Sequence, residues 1–446
     1  MRTTAIALLS ACMLTGPFRL TSAASDEAGQ LVPSIGHQDR AFAPVIPRPR
    51  IILTDIGEGT FEAAYAMAVQ ADEKIVAAGF STPAVGPSSD FALVRYESTG
   101  RVDRSFGDNG RVLTDFSGTG STDQALAVAV DLFGRIVVAG YSSSSAGVDF
   151  AVARYNPDGT LDNTFNFTGK VLTDFGGVDA ATAVVIDDRN NKIVVAGSSD
   201  AGGTYDFAVV RYNDDGTLDA TFNGGRVLTD FSRGSGDFAT AAVIDAVGTV
   251  VVGGLSDTSG IPYDFALVRY TASGTLDGTF NGTGKVLTDF SGSGSVDRLE
   301  ALAIESNGTI VAAGDSIADG RSRFALARYN DDGTLDTTFN ANGTVVTAFD
   351  SGNATAQAVA IQSDGRIVAA GWLDDGNRKG PDFALARYNT DGTPDRTFNS
   401  TGTVVTDLGG FDVAYGVGIQ SHGNIVAAGF SNVNGTSDFA LARFLP

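Results

Sequence analysis

Carboxylates recur in this sequence at spacings that could hold cations. Asp fills one position at 90, 149, 206, 264, 382 and 438, and a second at 115, 174, 230, 289, 407 and 55. At one place both change together, to Arg323 and Ala348. Two carboxylates held close repel unless they share a cation or each caps backbone N–H groups. Such pairs, Asp149 with Asp174 for example, therefore read either as a shared calcium site or as turn caps. A third acidic position, Glu62, Asp123, Asp179, Asp237, Asp297 and Asp412, is interrupted only by Ala354.

Two other positions are filled identically in every copy: Arg at 95, 154, 211, 269, 328, 387 and 443, and Asp at 39, 103, 162, 219, 277, 336 and 395. A buried guanidinium needs a carboxylate in good geometry. Each Asp follows its Arg by eight residues, while Arg443 would look back to Asp39. The pattern predicts structural ion pairs, the alternative being an anion site on each Arg. The turn between them, Asn156 to Asp162, has the oxygen spacing of a calcium loop in outline. A turn held by Asp and Gly explains it with fewer assumptions.

Nucleophilic chemistry is poorly supplied. The chain has two His, His37 and His422, and no GxSxG, HExxH or Walker-type phosphate loop. Glycoside cleavage requires only two carboxylates, so carboxylate chemistry stays open, but no pair stands apart from the repeat background.

The elements that must position these residues come from the repetition itself. The invariant Arg recurs every 56 to 59 residues. Each period holds four short apolar or alternating runs separated by Gly, Asp, Asn and Ser, as in Gln124 to Val130, Arg135 to Tyr141, Phe150 to Tyr155 and Lys170 to Phe175. This is the pattern of a four-stranded propeller blade, and no 3.6-residue apolar period suggests helices. The ordered part opens with a copy of the fourth strand, Ile51 to Asp55, and ends on a copy of the third. The expected fold is all-β: seven four-stranded antiparallel blades over 51–446, closed by the N-terminal strand completing the last blade. Strand one then lines the channel, and the third acidic set forms a ring at one mouth, either binding a cation or solvated as turn residues.

Segments of the type DGRIVVAG, FALARYNxDGTLDxTF and GKVLTDF resemble the delta-60 repeat family of bacterial secreted propellers, and more distantly NHL-type propellers. The resemblance runs from about His37 to the end and implies an exported propeller. It carries no activity to transfer.

Met1-Arg2, the apolar run from Ala5 to Phe18 and Ser22-Ala23-Ala24 read as a secretory signal over 1–24. The alternative is a lipoprotein signal ending at Cys12. A lead-in follows over 25–50. The expected location is secreted, periplasmic or on the cell surface. Fifty-two acidic against 30 basic residues give a formal charge of −22, which repels nucleic acid and anionic lipid. No later run is long and apolar enough for a membrane span.

Loops before strand one and after strand two vary in length and content, while the opposite face keeps its DG turns, so recognition is expected on the variable side. Phe80, Tyr141, Trp372 and Phe430 end strand two in adjacent blades, either as a stacking platform or as packing between blades. The densest mixed charge there comprises Asp315, Asp319, Arg321, Arg323, Asp374, Asp375, Arg378 and Lys379. The sequence thus predicts a monomeric, non-catalytic binding scaffold for a glycan, peptide or protein, with calcium as candidate cofactor. The alternative is a hydrolase or lactonase-like propeller using a cation at the channel mouth. A purely structural surface protein is the third reading.

Overall fold

The structure, a computed structural model, describes residues 49–446 except 58–60, 84–87, 119, 246, 259–261, 293, 350–351, 377–379 and 434. The expected signal segment, Cys12, His37, Asp39, Arg378 and Lys379 lie outside the described residues.

Runs rich in Ala, Val and Ile, punctuated by Gly and Asp turns, form strands almost throughout; one short 3-10 turn, Asn223–Gly225, is the exception among the described residues. They make seven four-stranded antiparallel sheets. Blade 2 is typical, with β6 (Thr122–Val130), β7 (Ile136–Ser143), β8 (Val148–Tyr155) and β9 (Lys170–Thr173) paired in chain order. Blade 1 spans 62–114, blade 3 179–229, blade 4 237–288, blade 5 296–347 and blade 6 353–406.

Blade 7 confirms the expected closure. β26 (Asp412–Ile419), β27 (Ile425–Ser431) and β28 (Asp438–Phe444) are completed by β1 (Arg50–Thr54) from the start of the ordered chain. Ile51 faces Ala442 and Thr54 faces Phe439 in antiparallel register. Each blade's first strand packs on the first strand of the next, and that of blade 7 packs on that of blade 1, so the ring is sealed without a raw edge.

The core lies between blades. Val137 and Val152 of blade 2, for instance, pack with Val195 and Val210 of blade 3 in one buried cluster. Strands buried on both faces explain continuous apolar runs such as IVVAG.

Strand one of every blade carries a bulge, which leaves Tyr65, Leu126, Thr182, Thr240, Glu300, Gln357 and Tyr415 out of register. The bulge brings the backbone close to strand two, where each IVxxG run ends on glycine. A Cβ on Gly140 would lie 1.9 Å from the Gln124 carbonyl oxygen, and its counterparts are as confined. Glycine is thus fixed there by a close approach.

Candidate functional site

On one rim, the turns between strands three and four bring each DxxF Asp beside its Arg. The Arg Nε donates to the Asp Oδ2 at 2.7–2.8 Å in the pairs 95–103, 154–162, 211–219, 269–277 and 387–395, and Arg328 pairs with Asp336 in the same way. The seventh pair, Arg443 with Asp39, falls outside the described residues. The guanidinium lies over the Phe of the same DxxF step, as Arg154 does over Phe165 at 4.9 Å. Its Nη1 reaches the next blade: Arg154 donates to the Asp214 carbonyl at 2.6 Å, and Arg95, Arg269 and Arg328 likewise donate to Pro157, Asp331 and Thr390 carbonyls. These pairs staple blade to blade. Burial alone would raise Asp219, but hydrogen bonds from Thr221 and Lys192 and the Arg211 charge outweigh it and bring it down to about 2. In the Asn156 to Asp162 turn, Thr160 donates both its N–H and its hydroxyl to Asp158 Oδ1, so the turn holds itself.

The opposite rim differs from expectation. The third acidic set does not ring the channel mouth: Glu62, Asp123, Asp179, Asp237, Asp297 and Asp412 are all fully buried. Each sits at the start of a first strand, and the backbone N–H of Glu62, Asp123, Asp237, Asp297 and Asp412 donates to the carbonyl of the residue just before strand three of the preceding blade, as Asp123 does to Ser89. That contact turns the side chain into the junction between blades. There it meets the strand-three and strand-four carboxylates of the preceding blade. Carboxylate oxygens of Asp90, Asp115 and Asp123 lie within 4.8 Å of one another, as do those of Asp149–Asp174–Asp179, Asp206–Asp230–Asp237, Asp264–Asp289–Asp297 and Asp55–Glu62–Asp438. The sequence shows three recurrent acidic positions; the fold merges them into triads.

Capping uses only part of the triads that hold Asp123, Asp179 and Asp297, whereas both oxygens of Glu62 accept backbone N–H groups, from Ile56 and Gly57. The strand-one acid takes a loop N–H on one oxygen: Phe116 to Asp123 at 2.8 Å, Phe175 to Asp179 at 2.6 Å, Phe290 to Asp297 at 2.9 Å. The strand-four Asp caps the turn after it, as Gly118 N–H to Asp115 at 2.6 Å. Among the described residues, no hydrogen bond reaches the strand-three carboxylates of Asp90, Asp149, Asp206 or Asp264. Burial first, then the neighbouring acids, push Asp206 and Asp264 up to about 6 and raise Asp90 and Asp149.

The junction of blades 5 and 6 breaks this rule at all three positions, with Arg323, Ala348 and Ala354. Here the strand two-to-three connection is a two-residue hairpin, Asp319–Gly320, both with positive φ (56° and 73°), pairing Ala318 with Arg321. The hairpin walls an open cleft of about 330 Å³ lined by Gly320, Arg321, Gly352, Asn353, Asp374 and Asp375. Arg321 is exposed at its edge, and Arg323 is partly buried below.

Phe80, Tyr141 and Phe430 are buried, and only Trp372 of the four strand-two aromatics keeps partial exposure. Phe80 and Phe430 pack in one cluster with Trp372 beside them. In blade 5 the same layer holds a two-pronged pair instead, Arg298 Nε and Nη2 donating to Asp315 at 3.0 and 2.9 Å. No motif or periodicity singles out Glu300, a bulge residue whose carboxyl burial pushes up to about 8. Tyr65 and Tyr415, on the bulges of blades 1 and 7, meet edge to face at 5.0 Å.

Fold and junctions together define a closed seven-bladed repeat propeller. Residues 70–106, 134–165, 189–222, 248–280, 305–339, 362–398 and 420–446 match the family described as a domain of unknown function (DUF5122) beta-propeller, and the chain belongs to that family. No curated protein matches it in sequence. Similar solved structures include the polysaccharide lyase Uly1 (TM-score 0.50, 12% identity, 86% of this chain and 90% of that one). They also include a protein of unknown function from Dyadobacter fermentans (0.48, 12%, 75% and 96%) and Sqt1 from Chaetomium thermophilum (0.46, 12%, 87% and 98%). At such identity the likeness concerns the fold alone.

Proposed function

We propose that this chain is an exported, non-catalytic binding propeller, akin to the secreted delta-60 proteins, that takes a carbohydrate into the cleft between blades 5 and 6. The carrying observation is the coincidence of that cleft with the one junction where all three acidic positions are replaced. A volume of about 330 Å³ suits a small ligand. The lining offers a guanidinium, an amide and carboxylates and no large apolar side chain, which suits hydroxyl groups better than an apolar peptide anchor. Export rests on the signal-like residues 1–24.

The hydrolase alternative loses support from the same geometry. The acids it would use at the channel mouth are buried in the junctions. In the cleft, Asp374 already accepts the Gly376 N–H at 2.9 Å.

A glycan array probed with the exported chain and with Arg321→Ala tests the reading. A restricted set of glycans should bind, and the variant should lose roughly tenfold or more in affinity at unchanged melting temperature. Retention of no glycan, or binding indifferent to Arg321→Ala, overturns it; capture of peptides alone would reassign the ligand class.

A further inference from the structure

We infer that the acidic junctions are calcium sites that clamp each blade to the next, independent of any ligand in the blade 5–6 cleft. Clustered carboxylates alone would not establish this; the unsatisfied oxygens do. Asp123 is fully buried, and its Oδ1 has no hydrogen-bond partner while its Oδ2 is occupied by Phe116 N–H and Ser121. Asp206 is 9% exposed, accepts no hydrogen bond at its carboxylate, and one of its oxygens is completely enclosed. Both belong to triads whose oxygens lie within 4.8 Å of one another. Buried polar atoms are ordinarily paired, and a carboxylate facing two others has no donor to turn to.

Calcium fits the spacing. Its oxygen ligands stand about 2.4 Å away, so oxygens on opposite sides of one ion are about 4.8 Å apart, and all three can ligate with little movement. Magnesium demands a tighter octahedron and keeps most of its water, which suits these loops less well. Ser121 and Ser235 hydroxyls lie in the same clusters, and the strand-four Asp115 and Asp230 are exposed, leaving an entry path from solvent.

Basic side chains close by do not replace the ion. Lys170 and Lys285 donate to the backbone carbonyls of Asp115 and Asp230, at 2.7 and 2.5 Å, rather than to their carboxylates. Each therefore offsets one charge of three. At the Asp264–Asp289–Asp297 junction the equivalent residue is Thr344, so that triad carries no such offset and should bind most tightly.

Metal-free full-length protein titrated with calcium chloride by calorimetry, with equilibrium dialysis to count bound ions, should take up about six ions per chain. The blade 5–6 junction supplies none. Asp206→Asn and, separately, Asp123→Asn should each lower the count by one. Because each also relieves repulsion, Asp206→Asn should melt higher than wild type in chelator and gain less on adding calcium. Absence of uptake at millimolar calcium with a melting temperature indifferent to chelator overturns the inference. So does an Asp206→Asn protein that binds the full count, or that is less stable than wild type without metal, which marks the carboxylate as a cap. Uptake of magnesium but not calcium also refutes the assignment. None of these readouts involves a glycan, so this failure and that of the binding cleft are separable.

Discussion

On the rim of the strand three-to-four turns, every described DxxF Asp meets an Arg, whereas on the other rim carboxylates meet one another. Asp219 and Asp206 belong to the same blade and are both nearly inaccessible to solvent. Hydrogen bonds and Arg211 hold the first down to about 2; burial and two acidic neighbours push the second up to about 6. Burial is common to both, so the difference lies in what faces the charge. One rim carries its own counter-ions within the polypeptide. The other is assembled as though the counter-ion came from outside, and the single junction without an acidic triad carries arginines and a cleft instead.

The largest effect that would break this contrast comes from removing an internal counter-ion. Arg154 is 1% exposed, pairs with Asp162, lies over Phe165 and reaches Asp214 in blade 3. Arg154→Ala should destabilise by about 3–5 kcal/mol, because Asp162 is left buried and unpaired. Denaturant unfolding checks this. A loss below about 1 kcal/mol would mean that the Arg rim is not the stapled one. Removing a carboxylate from a metal-free triad should act in the opposite direction.

Glu300 sharpens the comparison, since it is a raised carboxylate outside the triads. Burial, with Asp315 adding to it and Arg298 opposing, lifts it from 4.5 to about 8. A carboxyl raised on folding contributes its stability in full below the unfolded value and loses it as pH climbs from about 4.5 to about 8. Glu300→Gln should remove that decline. The variant should match wild type near pH 4 and exceed it by roughly 1–3 kcal/mol above pH 8. Melting curves across that range read the difference, and a gain that does not grow with pH would exclude a buried charge as its cause.

Much of this architecture was legible in residue spacing. The seven-fold period, the strand pairs, the closure through β1 and the eight-residue Arg–Asp step all follow from patterns that neighbouring copies repeat in register. The triads were hidden because Asp115 and Asp123 belong to different repeats, and the path of the loop between them leaves no periodic mark. Only the fold shows that Asp123 turns sideways into the junction instead of toward the channel. Glu300 was invisible for a related reason: a bulge shifts the two-residue alternation within the strand, so its direction cannot be read from its neighbours. The Asp319–Gly320 hairpin carried a plain turn signature and could have been recognised as the wall of a cleft.

The smallest predicted effect concerns the hydroxyls that tie strand three of one blade to strand four of the one before. Tyr155 donates to Thr114 at 2.8 Å, and Tyr96, Tyr212, Tyr270, Tyr329 and Tyr388 make the same contact with Thr54, Thr173, Thr229, Thr288 and Thr347. Blade 7 has Phe444 at this position, so the buried Thr406 of blade 6 faces a ring without a hydroxyl. Tyr155→Phe recreates in blade 2 what blade 7 already tolerates. It should cost about 1 kcal/mol, the net worth of one buried hydrogen bond. In a chain this long that amounts to a melting shift of only ~1–2 °C. Phe444→Tyr is the converse, and an equal gain would show that the junction of blades 6 and 7 is built to the same geometry as the rest. If Tyr155→Phe is costly while Phe444→Tyr is neutral or harmful, the junction of blades 6 and 7 packs differently from the six junctions that carry the Tyr–Thr pair, and seven-fold equivalence fails there first.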